Sequence, residues 1–175
     1  LRGALYGGHE NGHIPLYVFA ARPEIDLDQV FKFAVVRNPW DRMISAYHRI
    51  RTTSKNPMTL AWGERNLSRF ETFPDFLDRM RNSARFRWIV LSYPHFRPQF
   101  EFIALNGKVG VDYIARFERL GEDFSVIADK VRPGSVLGHR HKSPHKDFRS
   151  YYSDDDAEFV GQLYQQDVKR FGYEF

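Results

Sequence analysis

Cysteine is absent from this 175-residue chain. Its absence excludes a disulfide scaffold, thiolate-ligated zinc and a thiol nucleophile. Long hydrophobic runs are missing too: none approaches the roughly 20 residues that a membrane-spanning helix needs, so no transmembrane segment is expected in this stretch. Leu1 is followed by neither a charged n-region with an apolar h-region nor a cleavage site, so no leader is read, and the chain reads as beginning in mid-domain. Lysine is scarce, with 7 Lys against 19 Arg, and the net charge is only +4. Neither an internal repeat nor a low-complexity tract is found.

What is present is a core. Forty-two per cent of the residues are hydrophobic and 28 are aromatic, 16 Phe, 9 Tyr and 3 Trp, which excludes global disorder and is enough for one folded domain. The excess of arginine points to oxyanion binding, because the planar guanidinium offers paired donors that match phosphate or sulfate oxygens, whereas lysine is a point charge. A GC-rich genome is the plainer source of the same bias. Position has to decide.

Along the chain, glycines punctuate the first residues, and Leu16, Phe19 and Ala20 form a brief apolar stripe before Pro23. Phe31–Val36 is a near-continuous apolar run, read as the central strand of a parallel sheet covered on both faces. It ends at Arg37-Asn38-Pro39, where Asn38 caps a helix and Pro39 takes its first position. Trp40, Ile44 and Tyr47 keep helical phase after it. Residues 52–70 read as a loop or lid. A helix opens at Thr72-Phe73-Pro74-Asp75 and runs to about Arg81, with Phe73, Phe76, Leu77 and Met80 on one face. Residues 100–105 and 109–117 form an expected hairpin about Asn106-Gly107. Leu120, Phe124, Ile127, Ala128 and Val131 mark another helix. A basic, His-containing loop spans 133–152, and a last helix runs from its Ser153 cap to Gly172.

The stretch from Arg37 to Tyr47 carries the most chemistry. A buried strand delivers Arg37 to the carboxyl end of a sheet, where open α/β folds bind ligands, and the chain turns at once into a helix N-terminus whose free amides favour anions. Ser45, two turns on, can join Arg37 on one phosphate, and Arg42 adds a second fork. Alternatively, Arg37 pairs with a carboxylate and Ser45 is only a small helix residue.

Phe33–Arg42 with Ser45 and Tyr47 closely resembles the 3′-phosphate-binding element of sulfotransferases that use 3′-phosphoadenosine 5′-phosphosulfate (PAPS). The carbohydrate branch, which includes heparan sulfate 2-O-sulfotransferase and its bacterial relatives, is the most similar. Weaker matches follow in order: His95-Phe96-Arg97-Pro98-Gln99, Val111–Ile114, Arg116-Phe117-Glu118, Lys142-Ser143, Tyr151-Tyr152, Asp167 and Phe171-Gly172-Tyr173. The resemblance implies a single α/β domain over residues 1–175, a three-layer P-loop-like fold with a central parallel sheet flanked by helices. It also implies sulfuryl transfer from PAPS to a hydroxyl or amine of a carbohydrate or similar acceptor, with no metal. The family's other cofactor loop, rich in Lys, Thr, Gly and Ser, has no counterpart here, and the domain is expected to lack that N-terminal strand-loop-helix.

Roles follow from the resemblance. Arg37 and Ser45 would hold the 3′-phosphate, with Arg42 beside them, and Lys142 and Ser143 would reach a cofactor phosphate from the basic loop. Transfer needs a base for the acceptor proton. His13 in Gly12-His13-Ile14 is the better match to the family's Gly-His element, with His9 and Glu10 behind it. His95, Arg97 and Gln99 are expected along the acceptor channel, or in the core. Arg116 and Glu118 are expected to pair on one strand face. The histidines of 139–145 lack an ordered element to fix zinc geometry, and a solvated charge run is their plainer reading.

Two other classes compete. A P-loop kinase shares the sheet topology but needs Gly-x-x-x-x-Gly-Lys-[Ser/Thr], which is not here. A nucleic-acid-binding module suits a pI near 9.4 and arginines among aromatics, but a charge of +4 argues against it. For compartment, a bacterial cytoplasm fits the missing cysteines, and a eukaryotic relative would sit in the Golgi lumen behind an anchor.

Overall fold

A computed structural model describes residues 13–138 and 146–175. In chain order its elements are helix α1 (Leu16–Ala20), strand β1 (Phe33–Val36), helices α2 (Pro39–His48), α3 (Pro57–Leu67), α4 (Phe73–Asn82), α5 (Ala84–Ser92) and α6 (Phe100–Ile103), strands β2 (Ala104–Leu105), β3 (Lys108–Val109) and β4 (Tyr113–Arg116), and helices α7 (Leu120–Val131), α8 (Asp154–Leu163) and α9 (Gln165–Phe171). The described residues divide into two compact units, one from 13–37 with 99–138 and the other from 38–98 with 146–175.

The first unit holds the parallel sheet. β1 pairs with β4 from Phe33↔Tyr113 to Val36↔Arg116. The chain is therefore mixed α/β with a small parallel sheet, two strands wide among the described residues. The expected cover on both faces of β1 is not found: Phe33 and Val35, which share a face by the two-residue period, stay 40% and 44% exposed, while Val36 is buried. The Asn-Gly turn is where the sequence puts it, with φ of 52° at Asn106 and 74° at Gly107, as a primed hairpin turn requires. The strands around it are shorter than expected. Residues 100–103 are helical, the hairpin is Ala104-Leu105 against Lys108-Val109, and the chain then leaves it to pair β4 with β1.

The second unit is helical. On α2, Met43, Ile44 and Tyr47 are fully buried; on α4, Phe76, Leu77 and Met80 are too. Phe76 packs against the rings of Tyr47, Phe70, Phe73, Phe86 and Phe96 at centroid distances of 5.2–6.1 Å. α4 starts on a full capping box, Thr72 with Asp75. The expected loop at 52–70 is instead mostly helix. Asn56 caps α3, its side-chain oxygen accepting from the Met58 and Thr59 amides, and Pro57 opens it. Close approach then holds the helix: a Cβ on Gly63 would lie 2.7 Å from Ile50 Cγ2. The expected single last helix is broken at Tyr164 (φ −109°, ψ 27°), and Gly172 closes the second piece in the left-handed region, φ 61°.

Candidate functional site

Arg37 follows directly on β1 and is half-buried. Its peptide group is held by one side chain: its N–H donates to Gln99 Oε1 at 2.8 Å, and the Gln99 Nε2 donates back to the Arg37 carbonyl at 2.8 Å. Its guanidinium lies 4.5 Å from the centre of the Phe117 ring, within cation–π range. Phe117 opens a 3₁₀ turn after β4, and that turn is fastened by Asp123. The buried Asp123 carboxylate accepts from the Arg116 backbone N–H at 2.6 Å, the Tyr113 hydroxyl at 3.1 Å and Arg119 Nε at 3.3 Å. These donors, the Arg116 amide foremost, hold its carboxyl below the usual range. The shared strand face expected for Arg116 and Glu118 does not exist, because the strand stops at Arg116 and Glu118 lies in the turn.

In the second unit, the start of α2 differs from expectation in one respect. Its amides are not open to an anion. Asn38 Oδ1 accepts from Trp40 N at 3.0 Å and Asp41 N at 3.4 Å, the Arg42 N–H reaches the Asn38 carbonyl at 2.8 Å, and Pro39 has none. An anion at this segment would have to be met by side chains rather than by these amides. Asn38 is itself tied by its Nδ2, which donates to the Glu174 carbonyl at 2.9 Å. The helix is seated by Trp40, whose indole N–H donates to the Ala157 carbonyl at 2.7 Å, and by Tyr152, whose hydroxyl donates to the Trp40 carbonyl at 2.7 Å. Burial pushes the Tyr152 and Tyr164 hydroxyls well above their ordinary range, so both act as neutral donors. Ser45 is half-buried on α2. Arg42 Nη2 donates to the Pro94 carbonyl at 3.2 Å.

That contact brings Arg42 to the turn 93–97, which carries His95 and Arg97. The His95 ring sits 5.6 Å from that of Tyr93, which stacks on Trp62 at 4.0 Å and 12°. Gln99, expected along the acceptor channel or in the core, is buried and bonds the Arg37 peptide with both ends of its carboxamide. His13 is exposed, its ring 5.9 Å from Phe102. His9, Glu10, Lys142 and Ser143 lie outside the described residues.

The family model of the sulfotransferases matches residues 20–174. The chain belongs to the sulfotransferase family. No curated protein and no solved structure matches it. The activity is thus sulfuryl transfer, for which this family in general uses PAPS. In this sulfotransferase the residues that sequence reasoning missed are Phe117 and Asp123, which support Arg37 and the strand end without carrying a motif of their own. Arg116-Phe117-Glu118 is a weak family match whose charges, not its ring, carried the expectation. Among the described residues no cluster of three or more His, Asp or Glu could hold a metal ion, and no helix is long and apolar enough to cross a membrane.

Proposed function

We propose that this sulfotransferase takes its sulfuryl group from PAPS and passes it to a hydroxyl of a carbohydrate or similar acceptor, within one domain of three-layer P-loop-like architecture. The observation that carries the reading is Arg37: a half-buried guanidinium at the carboxyl end of a parallel strand, seated on a ring, with its own peptide group tied down. A fork so fixed matches a phosphate dianion, and the family resemblance assigns it to the 3′-phosphate of the nucleotide. Ser45 is assigned a hydroxyl on the same phosphate, and Arg42 a supporting charge. Lys142 and Ser143 are assigned to a cofactor phosphate from the basic loop.

PAPS supplies a sulfuryl group whose bond to the 5′-phosphate breaks as the acceptor oxygen attacks sulfur. His13, exposed to solvent, takes the acceptor proton, with His9 as the second choice. His95 and Arg97 are assigned to the acceptor, where a guanidinium suits an anionic saccharide. The rest of the catalysis is positioning and charge stabilisation rather than covalent chemistry.

Calorimetry of the intact protein with 3′-phosphoadenosine 5′-phosphate (PAP) tests the assignment. Arg37→Ala is expected to weaken binding by about tenfold or more and Ser45→Ala by less, since charged hydrogen bonds carry more energy than neutral ones. His13→Ala should keep PAP binding and lose transfer. PAP affinity indifferent to Arg37→Ala and Ser45→Ala would refute the phosphate site.

A further inference from the structure

We propose that Gln99 is a positioning residue for the Arg37 guanidinium, and thereby sets how strongly the protein prefers nucleotides that carry a 3′-phosphate over those that do not. The inference rests on the phosphate reading of Arg37 given above. The parallel ladder ends at Val36↔Arg116, one residue short of Arg37. Past that point the Gln99 side chain takes the place of a neighbouring strand, answering the Arg37 N–H with Oε1 and the Arg37 carbonyl with Nε2, both at 2.8 Å.

A carboxamide does this with one side chain at any working pH, because it presents an acceptor and a donor side by side without having to bind a proton. Gln99 comes from 62 residues further along the chain and is itself buried, so both of its polar ends need partners and the Arg37 peptide provides them. A buried amide answered in this way is rigid, and it fixes where the strand stops. The other end of Arg37 is fixed as well, by the Phe117 ring at 4.5 Å, whose turn is fastened through the Arg116 amide to Asp123. With backbone and guanidinium both set beforehand, the fork meets an anion without paying to order itself first. Gln99 has no call on the adenine or the 5′ end in this scheme. Its loss should be felt only through the 3′-phosphate.

That selectivity is the test. Dissociation constants of PAP and adenosine 5′-phosphate, which lacks the 3′-phosphate, are measured on the intact protein, and their ratio reports what the 3′-phosphate contributes. Gln99→Met is expected to lower the ratio about tenfold, the scale set by losing the orientation of a charged fork, while adenosine 5′-phosphate binds as before. Gln99→Glu, measured at a pH high enough to ionise it, keeps the acceptor for the Arg37 N–H but sets a carboxylate against the Arg37 carbonyl, and it should lower the ratio in the same way. Circular dichroism selects the variant that keeps the fold. On an Arg37→Ala background the Gln99 changes should alter the ratio no further. Equal weakening of both nucleotides, or an unchanged ratio, in a folded Gln99 variant overturns the positioning role. A ratio untouched by Arg37→Ala overturns the phosphate reading itself, whatever Gln99 does.

Discussion

Phe76, in the unit built from 38–98 and 146–175, meets the rings of Tyr47, Phe70, Phe73, Phe86 and Phe96, whereas Phe33 and Val35, on the sheet of the other unit, leave two-fifths of their surface to solvent. The first arrangement is held by apolar burial. The second is ordered by polar devices placed at single points: Gln99 on the Arg37 peptide, Asp123 on the end of β4, and Asp112, which accepts from the Lys32 backbone N–H at 2.7 Å and faces Lys32 Nζ at 3.0 Å. Apolar contact is non-directional and tolerates small shifts, whereas hydrogen bonds to a named peptide group fix position within a few tenths of an ångström. Keeping one guanidinium, that of Arg37, in a set place calls for the second kind of order.

The largest effect should come from the ring cluster. Phe76→Ala is expected to remove about 3–5 kcal/mol of stability, the range for emptying a fully buried aromatic site. Urea unfolding followed by circular dichroism measures it. A loss below about 1 kcal/mol would mean that the cluster can collapse into the space, and the contrast between the units would fail.

Next in size is Asp123, which separates the polar unit from the apolar one by pH. Its folded carboxyl is held below the ordinary value by the Arg116 amide first, then by Tyr113 and Arg119. A depressed folded value gives stability that is present above the unfolded carboxyl pKa of about 4 and is lost as pH falls through the folded value. Unfolding curves at pH 7 and pH 3 should therefore differ by less in Asp123→Asn than in the parent. Phe76→Ala should leave the pH difference as it was. Equal pH dependence in the parent and Asp123→Asn would show that the carboxylate has no such part.

Much of this was legible in the chain. Asn38-Pro39 announced a helix start and Asn106-Gly107 a primed turn because both are local: a capping oxygen, a missing amide hydrogen, a positive φ. The same local signal stood at Asn56-Pro57, but no regular apolar period follows it to confirm a helix: α3 buries only Thr59, Gly63 and Leu67 and has no broad apolar stripe. Hairpin strands at 100–105 and 109–117 were expected about the Asn-Gly turn, which does not say that residues 100–103 are helical or that Tyr113–Arg116 pairs with a strand about 80 residues earlier. For the site, Arg37 was legible from its place after an apolar run. Its supports were not, because Gln99, Phe117 and Asp123 owe their parts to partners that sequence spacing cannot bring together.

The smallest effect sharpens the comparison from inside the apolar unit. α3 leaves Met58 and Leu60 exposed and buries only Thr59, Gly63 and Leu67, so local chemistry has a larger share in it than in α4. Asn56→Ala removes the oxygen that accepts from the Met58 and Thr59 amides, at 2.9 and 3.2 Å, and should cost about 1 kcal/mol, the usual worth of an N-cap. Asn56→Asp should restore most of it, because a carboxylate serves as the same acceptor and is favoured by the positive end of the helix dipole. Hydrogen exchange at the α3 amides localises the loss there, with the α4 amides expected to keep their protection. If exchange rises equally in both helices, the packed unit responds as one body and local caps have no separate share in it.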